Sequence, residues 1–213
     1  MIDLILIIVA IAGFVFVILP QFARSRARSS RISCANNLKQ VALGFIIWAG
    51  DNNDLLPMQV SVTNGGAMEF ATTGSAYEVF LVVSNELNTP KILLCPHEDN
   101  PQRSMAHTFS PTLPSGAPAG LLPFTPTNHL SYFVGLDATQ TNAQTILAGD
   151  DNLELGKVGP IPGLWLLPSN APVAWTRKRH INQGYVAFAD GSVQGFSTAA
   201  LRAALANTGI QTN

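Results

Sequence analysis

The sequence predicts an α+β protein, and three observations carry that prediction. Residues 1–48 read as one long helix, β-forming residues gather in short runs over the last third of the chain, and Asp190-Gly191 supplies a hairpin turn between two of those runs. With 213 residues, the chain beyond its apolar start is long enough for one domain with its own core. No internal repeat is evident.

The helix meets two solvents along its length. Residues 1–19 (MIDLILIIVAIAGFVFVIL) carry one charge, Asp3, and are otherwise apolar on every side. Such a run is about long enough to cross a hydrocarbon core, which takes ~20 residues at ~1.5 Å rise each. Past Pro20 the chain turns basic through Arg24, Arg26, Arg28 and Arg31. Cys34, Leu38, Val41, Phe45 and Trp48 then recur at three- and four-residue steps, so they share one helical face that a folded domain must cover. The expected organisation is therefore a hydrophobic transmembrane or filament-core half-helix over 1–22 and a globular domain over 23–213, with 23–49 the amphipathic half of the same helix. A cleaved signal peptide fits less well: the apolar run exceeds the usual ~7–15 residues, and neither a basic leading region nor a small-x-small cleavage site is present.

The helix is expected to stop at Gly50 in a left-handed cap, with Asp51-Asn52-Asn53-Asp54 as turn chemistry. Residues 58–62 and 67–71 read as short strands about Asn64-Gly65-Gly66. Ser75-Ala76-Tyr77-Glu78 has the form of a capping box and predicts a helix over 75–87, ending before Pro90. Residues 91–95 read as a buried strand closed by Pro96. Prolines at 101, 111, 114, 118, 123 and 126 exclude a helix interior or central strand from 96–128, while Leu121, Leu122 and Phe124 favour a packed excursion. A hairpin over 130–136 and 144–148 follows, then a turn at 149–152 and an irregular stretch over 153–171. The last hairpin pairs 184–189 with 192–196 across Asp190-Gly191, and Thr198 caps a final helix over 199–206.

Composition narrows the function. Only 12% of residues are charged, against roughly 25% in a typical soluble domain, and 47% are hydrophobic. A surface so poor in charge suits burial against neighbouring subunits. The net charge of −1 gives no electrostatic case for nucleic acid. The arginines follow the apolar run directly, which favours phospholipid headgroups or a subunit contact.

An acidic residue near the start of an apolar helix (Asp3), Leu19-Pro20 at its far end, the Arg24 to Arg31 stretch and Cys34-Ala35-Asn36-Asn37-Leu38-Lys39-Gln40 together resemble the N-terminal region of type IV pilin-like proteins. More narrowly, they resemble prepilin-type, type II secretion pseudopilin-like proteins of the planctomycete and verrucomicrobial type. At the other end, His180, nine residues, then Asp190-Gly191 is similar to the C-terminal signature of the same group. The resemblance implies a long N-terminal helix whose second half packs on an antiparallel sheet. It also implies a homo-oligomeric filament subunit, inserted in the bacterial inner membrane before assembly, handled by inner-membrane assembly machinery and exposing its domain to the periplasm. Asp3, Leu4, Ile8, Phe14, Phe16 and Pro20 are the expected assembly residues. Members of that group begin with a basic leader ending in Gly, then Phe-Thr-Leu and a Glu; here Asp3 stands where the Glu would fall. Either a leader and the first mature residues are missing from this sequence, or a prepilin peptidase does not process it. Basic residues flank only the far end of the span, which by charge bias alone would put the domain in the cytoplasm; the resemblance puts it outside the inner membrane.

Cys34 and Cys95 form one available pair, each on a segment that points into the core. A disulfide closing that loop would stabilise by ~4 kcal/mol in the chain-entropy model; two buried thiols are the other reading. Metal ligation by this pair would need further Cys or His ligands nearby and is not expected. Asp150, Asp151 and Asn152 are calcium candidates by oxygen chemistry, but no carboxylate at fixed spacing completes the shell, and the expectation is no cofactor. His180, Asp190 and Gly191 carry the family signature, for which a structural role is expected: Gly191 supplying a positive φ, Asp190 capping the turn and His180 donating to a carbonyl. No nucleophile, base and orienting group stand at a recognisable spacing, so the protein is not expected to be an enzyme. The alternative to a filament subunit is a membrane-anchored periplasmic or surface binding protein that does not polymerise, with Trp165, Trp175 and Tyr132 available to stack on a glycan.

Overall fold

The structure is a computed structural model that describes residues 2–113, 115–126, 128–156, 158, 163–165 and 167–207, without the side chains of 2–6, 8–10, 17, 19, 20, 23, 24, 26 and 27. Its class is mixed α and β with an antiparallel sheet, compatible with the expected α+β. The helices are α1 (Ile2–Asp51), α2 (Met68–Thr72), α3 (Ala76–Val82), α4 (Ser84–Leu87) and α5 (Thr198–Asn207). The strands are β1 (Tyr132–Val134), β2 (Ile146–Asp150), β3 (Leu153–Leu155), β4 (Val173–Trp175), β5 (Gln183–Phe188) and β6 (Val193–Ser197). A four-stranded antiparallel sheet runs in the order β1-β2-β5-β6, and β3 pairs with β4 as a separate ribbon.

Two apolar clusters follow from strand alternation. Tyr132, Ala148 and Ala187 share the larger one with Cys34, Leu38, Val41, Phe45 and Trp48 of α1, together with Phe80 and Leu93. Val186 and Phe188, pointing the opposite way, join Leu153, Val173 and Trp175 from the ribbon and Leu201 and Leu205 from α5. The helical face read from sequence is thus buried. Trp175 and Tyr132 are core side chains, nearly closed to solvent, which withdraws them from a glycan-stacking surface.

Several local expectations are corrected. Gly50 stays helical, and the chain reverses through positive φ at Asn53 (57°) and Asp54 (60°), where asparagine and aspartate tolerate the left-handed region. Instead of strands at 58–62 and 67–71, Pro57–Gln59 and Val62–Asn64 form 3-10 turns and α2 follows; Pro57 opens the first turn at a position needing no N–H. The helix over 75–87 is two pieces broken at Val83, and Ser75 makes no side-chain cap. Pro90–Leu93 is a 3-10 turn rather than a strand, with Ile92 and Leu93 buried all the same. The stretch over 153–171 hides β3, too short at three residues to show an alternation. Ser197, not Thr198, caps α5 by accepting from the backbone N–H of Ala200 at 3.3 Å; Thr198 Oγ1 accepts from the N–H of Trp175 at 3.2 Å.

The two hairpins are where the sequence put them. β5 and β6 pair in register from Gln183–Ser197 to Ala187–Val193. Their turn, however, holds three residues, not two. The N–H of Gly191 donates to the carbonyl of Phe188 (2.9 Å), the N–H of Phe188 to the carbonyl of Ser192 (2.9 Å), and only Gly191 has a positive φ, 79°. A two-residue type I′ turn would need positive φ at Asp190 as well, whereas a type I turn ending in a left-handed glycine needs it once.

Candidate functional site

At the end of the sheet, β1, β2, the loop before β5 and the proline-rich segment after Cys95 converge on a buried group of charges. Arg179 is the centre. Its Nη2 donates to Glu98 Oε2 and Asp151 Oδ1, each at 2.7 Å, its Nη1 donates to the carbonyl of Ser131 at 2.9 Å, and Nη1 lies 3.6 Å from Asp150 Oδ1. Arg103 completes the set from the solvent side, with Nη2 to Asp151 Oδ2 at 2.6 Å and Nη1 to Glu98 Oε2 at 3.0 Å. Glu98 Oε2 also accepts from Ser131 Oγ at 2.7 Å. A buried guanidinium and buried carboxylates are tolerable only with such multiple pairing.

The backbone is bent to make this possible. Arg179, Ile181 and Asn182 all have φ between 55° and 61°, which folds residues 179–182 back on themselves before β5 begins. The N–H of Arg179 donates to Asp99 Oδ2 at 3.0 Å, and Asn152 Nδ2 donates to the carbonyls of Lys178 and Gln183 at 3.3 Å each. Loop 178–183 is therefore pinned from two neighbouring segments. Ile181, a β-branched residue in the left-handed region, records the strain that this pinning holds.

His180 turns inward beside Arg179. Its Nε2 stands 3.4 Å from Asp150 Oδ2 and 3.5 Å from Cys95 Sγ, and Cys95 is joined to Cys34 by a disulfide. Asp150 Oδ2 accepts from the N–H of Tyr185 at 2.7 Å. Burial pushes Asp150 up to about 7 against the pull of Arg179, and burial, followed by the Arg179 charge, pushes His180 down to about 3. Burial also raises Tyr132 well above its ordinary range. For Asp151 burial works upward, yet Arg179 and Arg103 outweigh it and hold the carboxylate below its usual value. Among Arg179, Arg103, Glu98, Asp151 and Asp150, a protonated Asp150 leaves two guanidiniums facing two carboxylates.

The family-signature residues separate. The His180 ring is buried against Asp150 and, among the described residues, donates to no carbonyl, although the His180 backbone N–H donates to the carbonyl of Lys178 at 2.8 Å; Asp190 is exposed at the hairpin tip, where its Oδ1 accepts from the N–H of Ser192 at 2.8 Å. Asp150 ends β2 instead of lying in a turn, and Asp151 follows it. The carboxylate oxygens that calcium would need at Asp150 and Asp151 are engaged by Arg179, Arg103 and the Tyr185 N–H. Asn152 faces inward and donates to carbonyls. The side chains of Asp3, Leu4, Ile8 and Pro20 lie outside the described residues, while Phe14 and Phe16 are 66% and 85% exposed. Among the described residues no helix is long and apolar enough to cross a membrane.

Sequence reasoning missed Arg179, Glu98 and Arg103. Arg177-Lys178-Arg179 beside a signature histidine, in a chain so poor in charge, was the available signal. Chemically the group is a clamp: it fastens the 96–103 segment and loop 178–183 to β1 and β2, with the Cys95 sulfur bonded to Cys34 and the Ser131 hydroxyl donating to Glu98. No family model, no curated protein and no solved structure matches this chain.

Proposed function

We propose that this chain is a structural subunit of a pilus-like or type II secretion pseudopilus-like filament, assembling through its hydrophobic N-terminal helix. The observation that carries the reading is the division of α1. From Cys34 onward one face of it, through Leu38, Val41, Phe45 and Trp48, belongs to the domain core, with Leu43 and Ile47 about half exposed on the other side, whereas Ile7, Ile11, Phe14, Phe16 and Phe22 are each more than half exposed in the single chain. Apolar side chains in that number around a helix need cover, from lipid before assembly and from copies of the same helix afterwards. The second half of the helix backing the sheet is the pilin-like arrangement that the N- and C-terminal motifs imply. A buried disulfide supports folding in an oxidising compartment such as the periplasm. Asp3 favours a filament over a simple anchor: a carboxylate in an apolar bundle needs a cation, and a neighbour's N-terminal amine is the nearest one in such packing. Electron microscopy of envelope and extracellular fractions tests this. Filaments containing the chain, lost on Asp3→Ala while membrane insertion persists, are expected; full filament formation by Asp3→Ala, or a chain that stays dispersed in the membrane, favours the anchored binding protein.

A further inference from the structure

The buried edge of the sheet collects metal-ligating atoms that the sequence keeps far apart. Cys34 comes from α1, Cys95 from the segment after the Pro90–Leu93 turn, Asp150 from the end of β2 and His180 from the strained loop before β5. The two sulfurs and a ring nitrogen of His180 all lie within 4.8 Å of one another. The edges involving His180 Nε2 are 3.5 Å to Cys95 Sγ and 3.4 Å to Asp150 Oδ2. A tetrahedral zinc ion, with ordinary bonds to sulfur, nitrogen and oxygen, has S···N edges of about 3.6 Å and N···O edges of about 3.4 Å. Two edges of a coordination tetrahedron are thus already set. The fold brings the His180 imidazole to the cysteine pair from the loop before β5.

In the disulfide form the sulfurs are bonded to each other and neither offers a thiolate. We propose that the dithiol form of this chain binds one zinc-class divalent cation through Cys34, Cys95 and His180, with Asp150 as fourth ligand. The metal and the disulfide are then alternative closures of one contact between α1 and residue 95. On binding, the two thiols release two protons and a protonated Asp150 carboxyl a third, and the cation with two thiolates, a neutral imidazole and a carboxylate leaves one negative charge. Arg179 Nη1, 3.6 Å from Asp150 Oδ1, is placed to balance it, and Oδ1 and His180 Nδ1 are buried without hydrogen-bond partners. The Tyr185 N–H donates to the same Oδ2 at 2.7 Å and so fixes the orientation of the Asp150 carboxylate. All four ligand residues are buried, but His180 also lines a pocket of about 130 Å³ with Arg31, Gln183, Tyr185 and Ser197, which gives an ion its way in. The ring needs no deprotonation near neutral pH, because burial keeps it uncharged. This site is independent of filament formation.

The test uses the whole chain in detergent. A water-soluble phosphine reduces the bridge, taking one oxygen from water to become its oxide while the disulfide gains two electrons and two protons; excess reagent is removed without air, and cobalt(II) is titrated in. One cobalt per chain is expected, with a sulfur-to-cobalt charge-transfer band and intense visible bands of a tetrahedral site, all abolished by one equivalent of zinc. The disulfide form should give neither band. His180→Ala should weaken zinc by at least about 100-fold, more than the loss of an outer-shell partner, and reduced Cys34→Ser should halve the charge-transfer intensity. A reduced chain that shows no thiolate band overturns the proposal, whether circular dichroism finds it folded or finds it unfolded and unresponsive to zinc. So does unchanged affinity in His180→Ala.

Discussion

His180 Nε2 lies 3.4 Å from Asp150 Oδ2 with both side chains closed to solvent, and burial moves the two groups in opposite directions, Asp150 up to about 7 and His180 down to about 3. At neutral pH the contact is not an ion pair of imidazolium and carboxylate. It is a neutral ring against a carboxyl group near its own midpoint. Solvent exclusion thus sets the protonation of both, and the Arg179 charge beside them lowers each.

The opposed shifts predict a masked pH dependence in the disulfide-bonded chain. Asp150 is raised on folding, so its contribution is fully present below about 4 and is lost as pH climbs towards about 7. His180 is lowered on folding, so its contribution is present above about 6.5 and is lost as pH falls towards about 3. Between about 4 and 6.5 the two slopes, each at most about 1.4 kcal/mol per pH unit, cancel. Removing one should expose the other. Relative to the parent, Asp150→Asn should gain stability with rising pH across that window and His180→Gln should lose it, measured as urea unfolding at half-unit pH steps; parallel curves for all three proteins would contradict the assignment.

Arg179 holds the charge cluster together, so its removal should cost more than removal of Arg103. The Arg179 side chain is 3% exposed and faces Glu98, Asp150 and Asp151, whereas that of Arg103 is 22% exposed and reaches only Glu98 and Asp151. Arg179→Met leaves carboxylates buried without their nearest cation, a loss of about 3–5 kcal/mol. Arg103→Met leaves Glu98 and Asp151 still paired with Arg179 and removes only the partly exposed cation, so about 1 kcal/mol is expected. Chemical denaturation of the two variants measures the difference, and equal losses would show that Arg179 is not the centre.

What could be read in the sequence followed from local rules. The apolar face of 34–48, the β1–β2 and β5–β6 hairpins and α5 each announce themselves through local periodicity or turn chemistry. The stretches 58–71 and 91–95 were misread because their β-branched and apolar residues are buried from short helical turns, where tertiary packing overrides propensity. The charge cluster was illegible for another reason: Glu98, Asp151 and Arg179 meet only after the sheet has formed, across separations of 81 and 28 residues from Arg179. Likewise nothing in the spacing of Cys95 and His180, 85 residues apart, brings the imidazole to the sulfur.

Gly191 tests the three-residue turn. At φ 79° a side chain is strained whatever the space, and an added Cβ would come within 2.9 Å of Ile46 Cδ1 on α1. Gly191→Val should therefore lower stability by about 2 kcal/mol, a fall of roughly 4–8 °C in the thermal midpoint for a chain of this size. Gly191→Asn, which tolerates the left-handed region, should lose clearly less. A valine variant with the parent's midpoint would rule out the left-handed turn.

The last prediction separates folding from assembly along α1. Every described residue of both core clusters is numbered 34 or higher, and the disulfide fixes α1 to the domain at Cys34, so no described side chain within residues 1–22 belongs to either core. Deleting them should leave a monomer that keeps the Cys34–Cys95 bridge and unfolds in one cooperative transition. It also removes Ile7, Ile11, Phe14, Phe16 and Phe22, the exposed apolar side chains that need lipid or neighbouring helices around them. The truncated domain should accordingly stay out of detergent, remain monomeric by sedimentation and fail to enter filaments. Phe14→Ser with Phe16→Ser in the full-length chain should give a milder version, a folded domain with impaired assembly, because the altered surface lies more than two helical turns from the first core residue. Filaments formed by the truncated domain would place the assembly surface on the sheet or its loops instead, and a truncated domain that cannot fold would mean that the first half of α1 supports the core through contacts beyond those of Cys34 to Ala49.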